Sequence, residues 1–368
     1  MEGRPGESST GGNSGHERVA EWIDLPQPGD EEAEESQDIE HEKLYNGEQH
    51  RILRELRWRY VNGILEDLEV VDRAGRKVPS QAIMLGSMTK KTFTPEPYYH
   101  LRGYLEQHPE ACTMDFQYRR RFQFDKWPED EKPPYRTIFE EIETKRRLTT
   151  FRAEIVEFLS KIESASRELG QKQQSGWPEI AKTEYVLCLG MGLITKAPSP
   201  ADVVEATVAR YMMANQLRLA LETMLGKRIG VVIQRPFSHE SENEEEFQNQ
   251  LFNHIPHVDH ADVKITYVDP LLAHQNLGAR AAVVSVIPDD DVFPTLRCLS
   301  GSLPIARGSP SLILHQTFEE YLDLNPSEDR QGVENLQKKY DSRQFTVKPM
   351  PLLNLSIYNK LPPGRKRD

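Results

Sequence analysis

Cysteine is scarce in this chain. Cys112, Cys188 and Cys298 are the full set, odd in number and far apart. That spacing excludes a disulfide framework and any paired-cysteine zinc motif, and it suits thiols kept reduced inside a cell. Long apolar runs are lacking too. The longest of note is 281–284, carried past Ser285 by Val286 and Ile287, far short of the ~20 residues that cross a bilayer. The opening MEGRPGESSTGGNSG has no apolar centre, so no secretory signal is expected there. The expected location is cytoplasmic or nuclear, with no membrane contact.

Basic charge is scarce in the first 43 residues. Thirteen acids there face only Arg4, Arg18 and Lys43, a balance of -10 out of -12 for the whole chain. Residues 1–43 are therefore expected to be a disordered acidic tail, since DEEAEESQDIEHE buries too little apolar surface to offset its ordering entropy. Such a tail solvates the chain or docks on a protein partner. The remaining residues carry -12 minus -10, or -2, which argues against a dedicated grip on nucleic acid.

What is there begins with a mixed α+β extension over 44–135. Ile52, Leu56, Tyr60 and Ile64 share a helical stripe, and VVDRAGRKVPSQAIML reads as two short strands around Ala74-Gly75. MDFQYRRRFQF alternates, with Phe116, Tyr118, Phe122 and Phe124 on one side. Period two predicts a strand with one aromatic face. Residues 136–169 then carry an apolar stripe, Ile138, Ile142, Leu148, Phe151, Ile155, Leu159 and Ile162, with one slip in its spacing. This helix is expected to pack on the core or to serve a protein partner.

From 185 onward the pattern changes. Tyr185 to Leu189 is a short run without alternation, the kind buried inside a parallel sheet. Ser199 and Pro200 suit a helix start, and the helix runs through ADVVEATVARYMMANQLRLALETML to Gly226. RIGVVIQ, VKITYVDP and AAVVSVI are further strands, and PSLILHQT is expected to be the last. The acidic stretch between RIGVVIQ and VKITYVDP is expected to hold a surface helix. Strands alternating with helices predict an α/β, doubly wound, mostly parallel sheet over 136–325. Residues 326–368 read as a polar, then Pro-rich, C-terminal tail.

Several constellations bear on chemistry. Gly190-Met191-Gly192 follows the first strand of the sheet. It resembles the phosphate turn of a dinucleotide site but has Thr195 at the third glycine and no acid at the end of RIGVVIQ. The two glycines are candidates for contact with a small anionic ligand, or else packing glycines. Asp269-Pro270 stands at the carboxyl end of a strand, where open sheets bind ligands, and is equally an ordinary helix start. Asp289, Asp290 and Asp291, and the set His254, His257, Asp259 and His260, have metal-ligand chemistry. Pro256 breaks the face of the second set, and three acids in a row suit a solvated turn, so no metal is assigned. No P-loop or nucleophile elbow occurs, and no cofactor follows from the residues.

In order along the chain, YVLCLGMG, ANQLRLALETML and ITYVDPLLAHQNLGARAAVVSV resemble the family of domains called sensitivity to red light reduced. The family's Gln-Leu-Ala-like segment is matched by Gln216-Leu217 and Leu219-Ala220, its Asp-Pro by Asp269-Pro270, and its Leu-Gly by Leu277-Gly278. The resemblance covers roughly residues 150–320, with the stand-alone fungal members as the nearest type. Two departures stand out. GVVIQRPFSHESENEEEFQ lengthens one connection, and in place of a Pro-His-Cys segment only Cys298-Leu299-Ser300 is found. The resemblance implies a Rossmann-like domain and a regulatory role. Members are linked to light- and clock-controlled gene expression in plants, to clock and haem metabolism in animals and yeast, and to secondary-metabolite genes in fungi. It makes Gly190, Gly192, Gln216, Asp269 and Pro270 ligand-binding candidates. It assigns no catalytic residue, because the family has no settled chemistry. A regulatory or binding protein is the leading expectation; an enzyme or accessory protein acting on a nucleotide-like or other anionic molecule is the alternative.

Overall fold

A computed structural model describes residues 69–71, 76–79, 83–84, 93–99, 108, 112, 114–120, 135–168, 176–192, 201–234, 242–253, 263–268, 273, 276–286, 299, 308–324, 330–350 and 353–362. The expected acidic tail and the Ile52–Ile64 stripe lie outside them.

The N-terminal strands form two small sheets. β1 (Glu69–Val71) pairs antiparallel with β2 (Lys77–Pro79), the two strands expected around Ala74-Gly75. β3 (Ile83–Met84), β4 (Phe93–Tyr99) and β5 (Met114–Arg120) make a second sheet in the order β3-β5-β4. β5 is the strand expected from MDFQYRR; its side chains, and so its aromatic face, lie outside the described residues.

Two helices stand where one was expected over 136–169. α1 (Tyr135–Lys145) and α2 (Leu148–Glu168) are separated at Arg147, whose φ is 53°. The slip in the stripe has its reason here. Ile142 and Leu148 are both buried but six positions apart, a spacing that no straight helix puts on one face. A short helix α3 (Trp177–Ala181), with Pro178 in its first turn, leads into the main sheet.

That sheet has seven strands: β6 (Tyr185–Cys188), β7 (Gly230–Gln234), β8 (Ile265–Val268), β9 (Ala281–Ser285), β10 (Leu312–Gln316), β11 (Tyr340–Gln344) and β12 (Leu355–Lys360). Their order is β11-β12-β10-β9-β6-β7-β8. β10, β9, β6, β7 and β8 are parallel neighbours, whereas β12 runs antiparallel to both β10 and β11. The chain is thus α/β with a mostly parallel mixed sheet. β6 and β9, central in the parallel part, are apolar without alternation because both faces are covered.

The covering layers differ. On one face Val186, Cys188, Val284, Leu312, Leu314 and Ile357 pack with α1, α2, α4 (Ala201–Leu225) and α5 (Glu242–Asn253). Alternate residues such as Ile313 and Tyr358 meet α6 (Phe318–Leu324) and α7 (Arg330–Gln337) on the other. The stripe of α1 and α2 is therefore spent inside the fold. α5, expected on the surface, is pinned by buried Phe247, Leu251 and Phe252. α4 ends at Gly226, whose φ of 63° is the left-handed stop that glycine allows.

The expected C-terminal tail is corrected. Residues 330–350 and 353–362 are part of the fold, and β10, read as the last strand, is followed by two more. The run YDSRQ of β11 shows no apolar alternation because it is an edge strand, and its backbone supplies the pairing. β12 is buried from Leu355 to Asn359. The loop between them is tied to α2 by Glu154, which accepts from the amides of Thr346 (2.9 Å) and Val347 (3.3 Å) and from the Thr346 hydroxyl. Among the described residues no helix is long and apolar enough to cross a membrane.

Candidate functional site

In the parallel part of the sheet, the chain leaves β6 on one side for β7 and β8, and returns on the other side as β9 and β10. The direction of winding therefore reverses between β6 and β9, the place at which open sheets of this kind hold ligands outside their carboxyl ends. Leu189 N–H donates to Val284 O (2.9 Å), holding the end of β6 against β9. The next residues turn sharply. Gly190 has φ 59° and Gly192 φ 78°, conformations that cost an L side chain about 1–2 kcal/mol.

This turn is clamped from three sides. Gly190 N–H donates to Gln234 Oε1 (3.0 Å) at the end of β7. Arg210 Nη1 donates to Met191 O (3.3 Å), and Tyr211 Oη donates to Gly192 O (3.2 Å). Gln248 of α5 donates in turn to Tyr211 Oη (2.9 Å). Both turn carbonyls thus face α4. In a trans peptide the N–H opposes the C=O, so the Gly192 amide points away from α4. The amides of Met191 and Gly192 have no acceptor among the described residues. Adjacent amides in such a turn form a concavity suited to an anionic or acceptor oxygen.

The helix N-terminus, the other half of a dinucleotide site, is displaced. α4 begins at Ala201, and nine residues separate it from Arg210, about 13 Å along the axis. The turn is held by side chains from the third turn of the helix, not by its first amides. Gln234, where a ribose-binding acid would stand, offers a carboxamide. Its Oε1 is committed to Gly190, because a backbone N–H can face only an acceptor.

The other candidates from the sequence fare differently. Gln216 is buried in α4 and makes no hydrogen bond to the turn. Its neighbour Asn215 is bound instead by Arg218 and donates to Leu251 O (3.2 Å) at the end of α5. β8 ends at Val268, and Asp269 and Pro270 lie outside the described residues. So do the His254–His260 and Asp289–Asp291 sets; among the described residues no group of three metal-ligating side chains occurs. Burial pushes the Cys188 thiol far up, which keeps it inert.

One residue went unread in the sequence. His315, inside LILHQ, is sealed from solvent on β10. Its Nδ1 lies 2.9 Å from Gln316 O, and its Nε2 has no partner among the described residues. Burial lowers its pKa to about 4, so the ring is neutral at physiological pH. The rings of Phe318 and Tyr321 meet it edge-on at 5.9 and 5.6 Å. A histidine in a run of buried aliphatics was the available signal. Arg210, Tyr211 and Gln248 had none, since each acts across the fold.

Comparison with protein-family models, curated proteins and solved structures finds no match.

Proposed function

We propose that the main sheet is a doubly wound, Rossmann-like domain of the sensitivity-to-red-light-reduced type, and that it serves as a regulatory receptor for a small nucleotide-like or other anionic molecule. One observation carries this reading: the left-handed Gly190–Gly192 turn sits where the strand order reverses. Numbered along the chain, the five parallel strands follow the spatial order 3-2-1-4-5, and in such sheets ligands bind outside the carboxyl ends at the reversal. Gln234, Arg210 and Tyr211 hydrogen-bond the backbone of the turn, and Gln248 supports Tyr211. That is the arrangement of a preformed cradle. A cytoplasmic or nuclear setting belongs to the same reading, as does an acidic N-terminal segment available to a protein partner.

The test is thermal unfolding of the full chain with adenosine triphosphate, S-adenosylmethionine, haem and inorganic phosphate. A bound molecule raises the unfolding temperature by mass action. A shift with a nucleotide but not with phosphate identifies a nucleoside-bearing ligand; a shift with phosphate alone identifies the anion as what is held. The shift is expected to vanish in Tyr211→Phe, which releases the Gly192 carbonyl. No shift with any of the four, or an unchanged shift in the variant, overturns the reading.

A further inference from the structure

We propose that His315, flanked by Ser285 and Ser356, is the hydrogen-bond acceptor with which the carboxyl edge of the sheet holds an N–H or O–H group of its ligand. This rests on the reading of the Gly190–Gly192 crevice as a ligand site and names the chemistry of its far wall.

The argument begins with register. His315 is paired with Ser285 of β9 on one side and with Ser356 of β12 on the other. Cys188 is paired with Val284, so Leu189, the residue before the turn, lies beside Ser285. Residues in register share a face of the sheet. Leu189, Ser285, His315 and Ser356 therefore form one row, which starts at the glycine turn and crosses four strand ends. By strand spacing, His315 stands about 10 Å from Leu189, two strands away. A nucleoside spans that length.

From Ser285 onward the row is polar, whereas the residues beneath it on the parallel strands are not. Two residues earlier on the same strands and the same face stand Leu187, Val283 and Ile313, all buried. Ser285, His315 and Ser356 are buried as well. The change from aliphatic to polar thus occurs at the carboxyl edge without a change in exposure, so solvent does not explain it.

The tautomer follows from the neighbours. Gln316 O is an acceptor only, so Nδ1 carries the proton and donates to it. Nε2 is then a lone pair, and it has no donor to meet. An unmet buried acceptor costs about 1–3 kcal/mol. An apolar residue between Phe318 and Tyr321 would avoid that cost, and a fold retains it where the group has another use. A donor on a bound molecule satisfies Nε2 and turns the cost into binding and specificity.

The experiment compares His315→Leu, His315→Gln and His315→Asn with wild type in the full chain, with S-adenosylmethionine and adenosine triphosphate as probes. Without probe, His315→Leu is expected to unfold at the same or a higher temperature, because it removes the unmet acceptor. With a probe that binds wild type, its Kd is expected to rise about tenfold, the value of one lost hydrogen bond. Gln, whose amide reaches the place of Nε2, should restore binding; Asn, which reaches only Nδ1, should not. In the 15N spectrum of wild type, the Nε2 resonance should move on adding the probe while Nδ1 stays protonated. If the probe binds His315→Leu as tightly as wild type, this inference fails and the crevice reading stands. If His315→Leu unfolds several degrees lower without probe, the histidine is a structural residue and the inference fails. If neither probe binds wild type, this inference falls, and the crevice reading falls with it when haem and phosphate give no shift either.

Discussion

Arg218 and His315 are both sealed from solvent, and the fold treats them in opposite ways. Arg218, in the lower half of α4, is compensated by hydrogen bonds and an ion pair. Nε and Nη2 donate to Asn215 Oδ1 (3.0 and 2.9 Å), Nη2 also reaches Phe252 O (3.2 Å), and Nη1 lies 2.9 Å from Glu222 Oε1. Glu222 in turn accepts from Ile229 N–H (3.0 Å), just ahead of β7. A charge with no access to water is thereby built into the joint between α4, α5 and β7. His315 is uncharged and has half its hydrogen-bonding capacity unused. The difference is one of compensation. The buried charge of Arg218 is paired, whereas the neutral ring of His315 keeps an unmet acceptor.

Removing the closed network should have the largest effect. Arg218→Ala leaves Glu222 and Asn215 without their buried partner, and an expected loss of about 3–5 kcal/mol follows. Equilibrium denaturation in urea measures it. Arg218→Met, which fills the space but carries no charge, should lose clearly less than Ala; equal losses would mean that charge pairing, not volume, matters there.

Acid should act next, and through His315. In the folded chain its pKa is about 4, against 6.5 when exposed. Between those values the unfolded chain binds a proton that the folded chain refuses. Stability therefore falls as pH falls through this window, by about 3 kcal/mol at most from this group. Other groups titrate there too, so the measurement is the difference between wild type and His315→Leu at pH 7 and at pH 4.5. The gap should shift in favour of the variant at the lower pH. A pH-independent gap would show that the ring is not held neutral.

Gly192→Val should cost less, about 1–2 kcal/mol, since it forces a side chain into the left-handed region. A melt like that of wild type would mean that the turn relaxes freely and that the edge is not preformed. The smallest effect is expected at the surface. Glu205 pairs with Lys145 (2.6 Å) and Arg146 (2.7 Å), and the Lys145 ammonium first, then the Arg146 guanidinium, holds its carboxyl below the usual range. Because Lys145 is exposed, Glu205→Gln should cost only about 0.5 kcal/mol, and salt should abolish even that. A larger loss would place this corner among the closed networks.

Much of the sheet was legible in the sequence. Strands β6, β7 and β9 are short apolar runs, which only a sheet covered on both faces requires, and α4 carries its own stop at Gly226. The turn was legible as a turn, because two glycines one residue apart after a buried strand announce left-handed backbone. Its clamps were not. Arg210 and Tyr211 sit within a helix buried all round, and Gln248 lies in an acidic run, so no local pattern sets them apart. β11 was hidden because an edge strand is held by its neighbour's backbone and needs no apolar alternation. The corner at Arg147 left only a slip in spacing, and His315 passed as one more strand residue.

The antiparallel strand β12 has a consequence for how the chain is made. It lies between β10 and β11 but follows both in sequence. During synthesis β10 therefore emerges with its outer edge bare, and β11 has nothing to pair with until residues 355–360 arrive. A chain cut short ahead of Leu355 would display the open edge of β10 to other chains, the template from which aggregation starts. The sheet is thus completed from within by the strand that the chain supplies last.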